Sequence, residues 1–317
     1  MFARPAASLF IFLLATTFAA HAETPRTLTD AAGRTVTVTD ASRIVSIGGA
    51  VTEILYALGL EDSIIAIDST STFPARASAK ANVGYMRQLS AEGVLSVNPS
   101  LVLAVEGSGP KNTIEVLESA SVPLLLVPEA HDAASMARKI RFVADAAGVP
   151  ERGDELARTV LGDLARFEAE RAKITTRRKA IFVLAMGTGA PMVAGDGTLA
   201  SSIFAIAGVD NALSGFKGYK AASEESALAT DAQAIVVMSE RAESLTPDVV
   251  FASPAFAGTP AARDRRLVAL PGSYLLGFGP RVAHAARDLA AGIYPEIDFP
   301  PLPDRAWTGY ERTPDAP

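Results

Sequence analysis

In the segment "VGYMRQLSAEGVLSV" a phenol and a guanidinium stand two residues apart, as Tyr85 and Arg87, directly after Gly84. A free phenol ionises near pH ~10, so it serves as an anionic oxygen at neutral pH only where a metal or a nearby cation holds the phenolate. Arginine keeps its charge at any relevant pH. If residues 85–87 are extended, both side chains point to the same side and the pair can present a hard anionic donor. The plainer alternative is an amphipathic tyrosine at a domain edge, with Arg87 a solvated surface charge.

Four more residues have chemistry to offer. Arg281 in "GFGPR" follows two glycines and a proline that let backbone approach a ligand, and its fork suits a carboxylate; otherwise it is a helix-start arginine facing water. His131 in "VPEAHDAAS" follows an apolar run, at the sheet edge where ligands of open α/β sheets bind. Asp132 beside it has the character of a helix N-cap, which favours an exposed loop histidine. Glu92 and Glu225 each stand near a short helix start, where the helix dipole favours acids. His284 falls inside a helical pattern and is expected to be partly buried structure.

Other chemistries find little footing. No G-x-S-x-G, H-E-x-x-H, Walker or G-x-G-x-x-G string occurs, and the G-x-G pieces at Gly187, Gly195 and Gly277 fit turns. The absence of cysteine excludes disulfides, iron–sulfur clusters and thiolate metal sites. His131 and His284 cannot by themselves build a histidine-rich zinc or manganese site, although carboxylates could complete one.

"AASLFIFLLATTFAA" after Arg4, then Ala20-His21-Ala22, has the form of a secretory signal peptide cleaved after Ala22. It is too short for an anchor, and no cysteine follows it to carry a lipid. Arg4 is the leader's one charged group, so its removal takes the net charge from −6 to −7. Such a mildly acidic chain has no electrostatic footprint for nucleic acid or an anionic bilayer.

The elements that must position these residues follow an α/β rhythm. "RIVSIG" runs through a Gly48-Gly49 turn into the helix pattern "AVTEILYAL", and then come "SIIAID", "LVLAV", "KNTIEVLESA", "VPLLLV" and "DAASMARKIRFVADAAG". "PERGDELARTVLGDLARFEAERAK" predicts one long helix, with Pro150 at its start and Leu156, Val160, Leu164 and Phe167 on one stripe. A second set follows: "AIFVLA", a turn at "MGTGAP", "LASSIFAIAG", "AIVVMS" and "PRVAHAARDLAAGIY". Strands so uniformly apolar imply parallel sheets covered on both faces.

The expected division is a signal peptide over 1–22, an N-terminal α/β lobe over 23–149, a connecting helix over 150–174, a C-terminal α/β lobe over 175–295 and an extended tail without a core over 296–317. Ser90, Glu92, Leu95, Asn98 and Val102 also find counterparts at Ser223, Glu225, Leu228, Asp231 and Ile235, all displaced by 133 positions. The two lobes therefore read as related halves.

Together "RIVSIGGAVTEILYALG", "GYMRQLSAEGVLSV", "APMVAGDGT", "YKAASEESAL" and "GFGPR", with the long middle helix, resemble the periplasmic haem-binding proteins of bacterial ABC importers, over roughly residues 27–295. Those proteins lie within the cobalamin and siderophore-type cluster of substrate-binding proteins. The resemblance implies a class III fold, two Rossmann-like lobes joined by one helix, and a non-enzymatic carrier of ferric haem that works as a monomer in the periplasm. It implies Tyr85 as axial iron ligand, Arg87 hydrogen-bonding the phenolate, Arg281 on a propionate and His131 as a candidate second ligand. Phe73, Met86, Tyr219, Tyr274 and Phe278 are candidates for an apolar wall. Glu92 and Glu225 resemble the lobe-tip acids that dock on the ABC permease dimer, with an outer-membrane haem receptor upstream. The competing readings are the same fold carrying cobalamin or a ferric siderophore, an extracytoplasmic haem sensor or scavenger and, more distantly, a zinc carrier.

Overall fold

The computed structural model describes residues 25–186, 190–241 and 245–309. The expected signal peptide, the tip of the "MGTGAP" turn at 187–189 and the last tail residues, 310–317, lie outside the described residues.

The chain opens with an antiparallel hairpin of β1 (Arg26–Thr29) and β2 (Thr35–Val38) that the sequence pattern had not suggested. Then come β3 (Ile44–Ile47), α1 (Gly49–Ala57), β4 (Ile64–Ile67), β5 (Ala81–Asn82), α2 (Ala91–Leu95), β6 (Leu101–Val105), α3 (Lys111–Ser119), β7 (Leu124–Val127) and α4 (Ala133–Ala146). Five of these strands form an all-parallel sheet in the order β5-β4-β3-β6-β7. Its central strands β3 and β6 are buried at every position, which is why they read as unbroken apolar runs. Asp132 caps α4 by accepting from the Ser135 amide, completing a capping box.

Helix α5 (Pro150–Arg171) starts at Pro150 and buries Leu156, Val160, Leu164 and Phe167 on one face. It packs closely on α4 because Gly153 has no side chain: a Cβ there would lie 2.3 Å from that of Ala144.

Past α5 the chain forms β8 (Lys179–Ala185), β9 (Met192–Ala194), α6 (Leu199–Ala207), β10 (Asp210–Asn211), β11 (Tyr219–Ala221), α7 (Glu224–Leu228) and β12 (Ala234–Met238). Three short helices follow, α8 (Pro247–Ala252), α9 (Pro254–Ala257) and α10 (Pro260–Arg263), then β13 (Leu267–Leu270), α11 (Gly272–Leu276) and α12 (Val282–Ile293). The second sheet runs β11-β9-β8-β12-β13, with β10 also on β8. It corrects the expectation of wholly parallel sheets, because β9 and β11 are antiparallel. These strands have only three residues each, too few to show a periodic pattern.

One hydrophobic cluster runs from Ile44 and Leu103 through Phe167 on α5 to Phe182 and Leu289, so both lobes and their connecting helix share a core. Among the described residues, no helix is long and apolar enough to cross a membrane.

The tail is also corrected. Residues 296–309 have no helix or strand but do have a core contact: Phe299 is 3% exposed, its ring 6.0 Å from that of Phe167. Arg305 grips Asp163 of α5 through two hydrogen bonds of 2.8 and 3.2 Å. The Arg287 guanidinium donates to the Phe299 carbonyl, and the His284 ring meets the Pro303 carbonyl at 3.3 Å. Two aromatics, Phe299 and Trp307, are hidden among prolines, and a proline-rich composition masks this strap.

Candidate functional site

Tyr85 lies just past the edge strand β5, 43% exposed. Gly84 precedes it at φ 98°, a conformation that side chains rarely adopt, and its amide donates to Asn82 Oδ1. Residues 85–88 then turn, closed by the Gln88 amide on the Tyr85 carbonyl at 2.8 Å. Gly109 braces the turn from below, donating to the Met86 carbonyl and accepting from the Leu89 amide. Residues 85–87 are therefore not extended, and among the described residues no hydrogen bond or ion pair joins Arg87 to Tyr85. Arg87 is exposed, and burial pushes the Tyr219 phenol of the opposite lobe up, with the charge of Arg87 only partly opposing it.

Beside this turn the loop after β4 is fixed by buried hydroxyls. Asp68 accepts from the Gly48 amide, Ser71 Oγ and Thr70 Oγ1, while Thr52 Oγ1 meets both Ser46 and Ser71 at 2.7 Å. The loop carries Thr72 and Phe73 to the second lobe, where Thr72 Oγ1 meets Ser273 Oγ at 3.2 Å.

Here the expectation for Arg281 is overturned. It is 3% exposed and holds Glu53, 4% exposed, through hydrogen bonds of 2.5 and 2.9 Å, while its guanidinium stacks 3.5 Å from the Phe73 ring. Burial raises the Glu53 carboxyl above the ordinary range, and the pull of Arg281 opposes it. Gly279 makes room for this carboxylate and not for a ligand, since a Cβ would sit 3.0 Å from Glu53 Oε2. A guanidinium so enclosed is spent on joining the lobes and is not available to a propionate. Glu53 was missed although a signal existed: it is the only charge in "AVTEILYAL".

Tyr274 and Phe278 are buried core residues and not cleft wall, and the Tyr274 hydroxyl donates to Asp288. Phe73 and Met86 are half-buried, Phe73 against Arg281 of the second lobe and Met86 beside Thr70 of its own. Lys139, also unsuspected, is fully enclosed against Glu129, with its ammonium pushed to a lower pKa by burial. His131 is exposed and bridges the lobes, its Nδ1 3.0 Å from Ser202 Oγ on α6. The ring thus has a partner on the opposing lobe, which sequence spacing gave no means to see.

Glu92 and Glu225 are exposed, each the second residue of a five-residue helix. Ser90 Oγ caps α2 at 3.3 Å, and Ser223 Oγ caps α7 at 3.1 Å. Asn98 and Asp231 end the two units at φ 50° and 51°. A cavity of about 440 Å³ opens elsewhere, among α8, α9 and α10, lined by Asp248, Phe251, Thr259 and Arg265. Arg265 pairs with Asp248 there and Arg263, also in its lining, with Asp264, and no residue of the lobe junction lines it.

The family described as periplasmic binding protein matches residues 44–274. Among solved structures, the periplasmic haem-binding protein RhuT from Roseiflexus sp. RS-1 is similar at TM-score 0.78 and 37% identity, over 82% of this chain and 100% of that one. The periplasmic haem-binding protein BhuT, solved with two haems, is similar at TM-score 0.74 and 34% identity, over 81% and 99%. Among curated relatives, the ABC transporter substrate-binding lipoprotein YvrC of Bacillus subtilis is 26% identical over 277 residues, 86% of each chain. The vitamin B12-binding protein of Pectobacterium atrosepticum is 25% identical over 199 residues, 62% of this chain and 71% of that one.

Proposed function

This chain belongs to the periplasmic binding protein family, and from that premise we propose that it holds ferric haem between its lobes and delivers it to an inner-membrane ABC transporter. The observation that carries the cargo is Tyr85, an exposed phenol fixed on a braced turn at the lobe edge with Arg87 two residues on. A phenolate is a hard anionic oxygen that favours Fe(III), and tyrosine is an established axial ligand of haem. Tyr85 is the residue that binds the iron, with the exposed Arg87 two residues on. The likeness to RhuT and BhuT supports this cargo.

In this reading the leader is cleaved after Ala22, and the mature protein works in the periplasm as a monomer, taking haem from an outer-membrane receptor and docking on the permease dimer through Glu92 and Glu225. It binds and releases without chemistry, so it is not an enzyme. Arg281 has no part in holding cargo, and His131 serves the lobe junction.

The vitamin B12-binding relative favours a second reading, cobalamin in the same cleft. Titration of the mature protein with ferric haem and, in parallel, with cyanocobalamin separates the two. The haem reading expects a saturable ferric spectrum with a phenolate charge-transfer band, at least about tenfold weaker binding in Tyr85→Phe, and no response to cyanocobalamin. Tight cyanocobalamin binding with no specific haem spectrum would transfer the assignment to cobalamin.

A further inference from the structure

Asp68, the first residue after β4, is fully buried. Its carboxylate accepts from four neutral donors: the Gly48 amide at 2.9 Å and Ser71 Oγ at 2.8 Å on one oxygen, the Thr70 amide at 3.0 Å and Thr70 Oγ1 at 2.7 Å on the other. A carboxylate taken out of water is tolerable only when hydrogen bonds replace those it gives up. Three of the four come from Thr70 and Ser71, so the loop is folded around the carboxylate, and the fourth, from Gly48, fastens it to the start of α1. The Thr70 carbonyl closes the same seam, since a Cβ at Gly49 would lie 2.7 Å from it.

Between these anchored residues stands Ser69, whose amide donates to the Gly84 carbonyl at 2.9 Å. The register of β4 and β5 ends with Ile67 opposite Asn82. This bond, with the Val83 amide on the Ile67 carbonyl at 2.9 Å, carries the pairing past both strands to the peptide that enters Tyr85. On the other side of Tyr85, Met86 Sδ lies 3.9 Å from Thr70 Oγ1. The Tyr85 side chain is 43% exposed, so the backbone on either side of it does most to aim it. At its far end the same loop is tied to the second lobe, by Thr72 on Ser273 and by the Phe73 ring on Arg281.

We propose that Asp68 is a positioning residue for the iron-ligating phenol: by fixing the loop at Ser69 it sets where the Gly84–Tyr85 peptide, and with it the phenol oxygen, stands. The inference rests on Tyr85 being the ligand of ferric haem. An asparagine of the same shape isolates this role. The hydroxyls of Thr70 and Ser71 can turn their protons elsewhere, but the Gly48 and Thr70 amides cannot, and they stand on opposite oxygens of Asp68. With asparagine one of them must face an NH2 group. Two donors opposed in a buried site lose their solvation and gain no bond, so the loop has to shift, and Ser69 with it.

The test is absorption and resonance Raman spectroscopy of ferric haem on wild type, Asp68→Asn, Thr70→Val and Phe299→Ala, each checked for folding by circular dichroism at the working temperature. Phe299→Ala supplies a protein weakened at the C-terminal strap with the loop untouched. Asp68→Asn is expected to bind ferric haem at least about tenfold more weakly and to shift the iron–tyrosinate bands. Thr70→Val, which removes one donor to the carboxylate, is expected to shift them the same way by less, and Phe299→Ala to keep the wild-type bands. Where Asp68→Asn does not fold, Thr70→Val decides alone. Unshifted bands in the folded loop variants overturn the inference, as does an equal shift in Phe299→Ala, which would assign the effect to lost stability. The readings beneath it fail separately: a wild type without a haem complex removes the cargo, and Tyr85→Phe with unchanged bands removes the ligand.

Discussion

Glu53 and Arg281 come from opposite lobes, 228 residues apart in sequence, and hold each other out of water. Taking two charges into a protein interior is repaid only while both are present, so removing one partner strands the other. Glu53→Ala is expected to destabilise the protein by about 3–5 kcal/mol, and Glu53→Ala with Arg281→Met to recover most of that loss. Urea melts of wild type, both single variants and the double variant check it, and additive losses would contradict the pairing. The same residues mark what a sequence makes legible at this scale. Tyr85 could be picked out because its glycine, its arginine and the serine cap beyond them are local. The fork of Arg281 is legible as a carboxylate binder but its partner Glu53 is not, since nothing near "GFGPR" announces a carboxylate across the molecule.

At the scale of elements, the helices, the buried parallel strands and the long connecting helix were legible because apolar periodicity and caps are strong local signals. The antiparallel strand β9 and its edge partner β11 were not, having three residues each. The tail was misjudged for a related reason: Phe299 and Arg305 act as single anchors, and one aromatic among prolines makes no pattern. Phe299→Ala removes a ring packed on Phe167 and is expected to cost about 3–5 kcal/mol. Truncation after residue 295 additionally leaves Asp163 without Arg305, so it is expected to lower the melting temperature further. Thermal melts of both proteins test this, and an unchanged truncation variant would mean that the strap contributes nothing.

For the whole molecule, paired acids on two lobes can report lobe spacing to a partner only if that spacing is held. Here α5, the Glu53–Arg281 pair, the Thr72–Ser273 contact and the His131–Ser202 contact all hold it. Electrostatic docking of this kind governs association more than cargo affinity. Glu92→Gln with Glu225→Gln is therefore expected to leave haem affinity within about twofold while sharply reducing haem-dependent growth. Unchanged uptake in cells would point to a sensor or scavenger.

The core crosses from one lobe to the other through Phe167. Neither lobe can melt alone without exposing the other's apolar face and leaving half of a charge pair in a dry interior. Two lobes with matching folds would ordinarily be expected to give two calorimetric transitions. This chain should instead give one, with equal calorimetric and van't Hoff enthalpies, and so behave as a single cooperative unit despite its internal repeat.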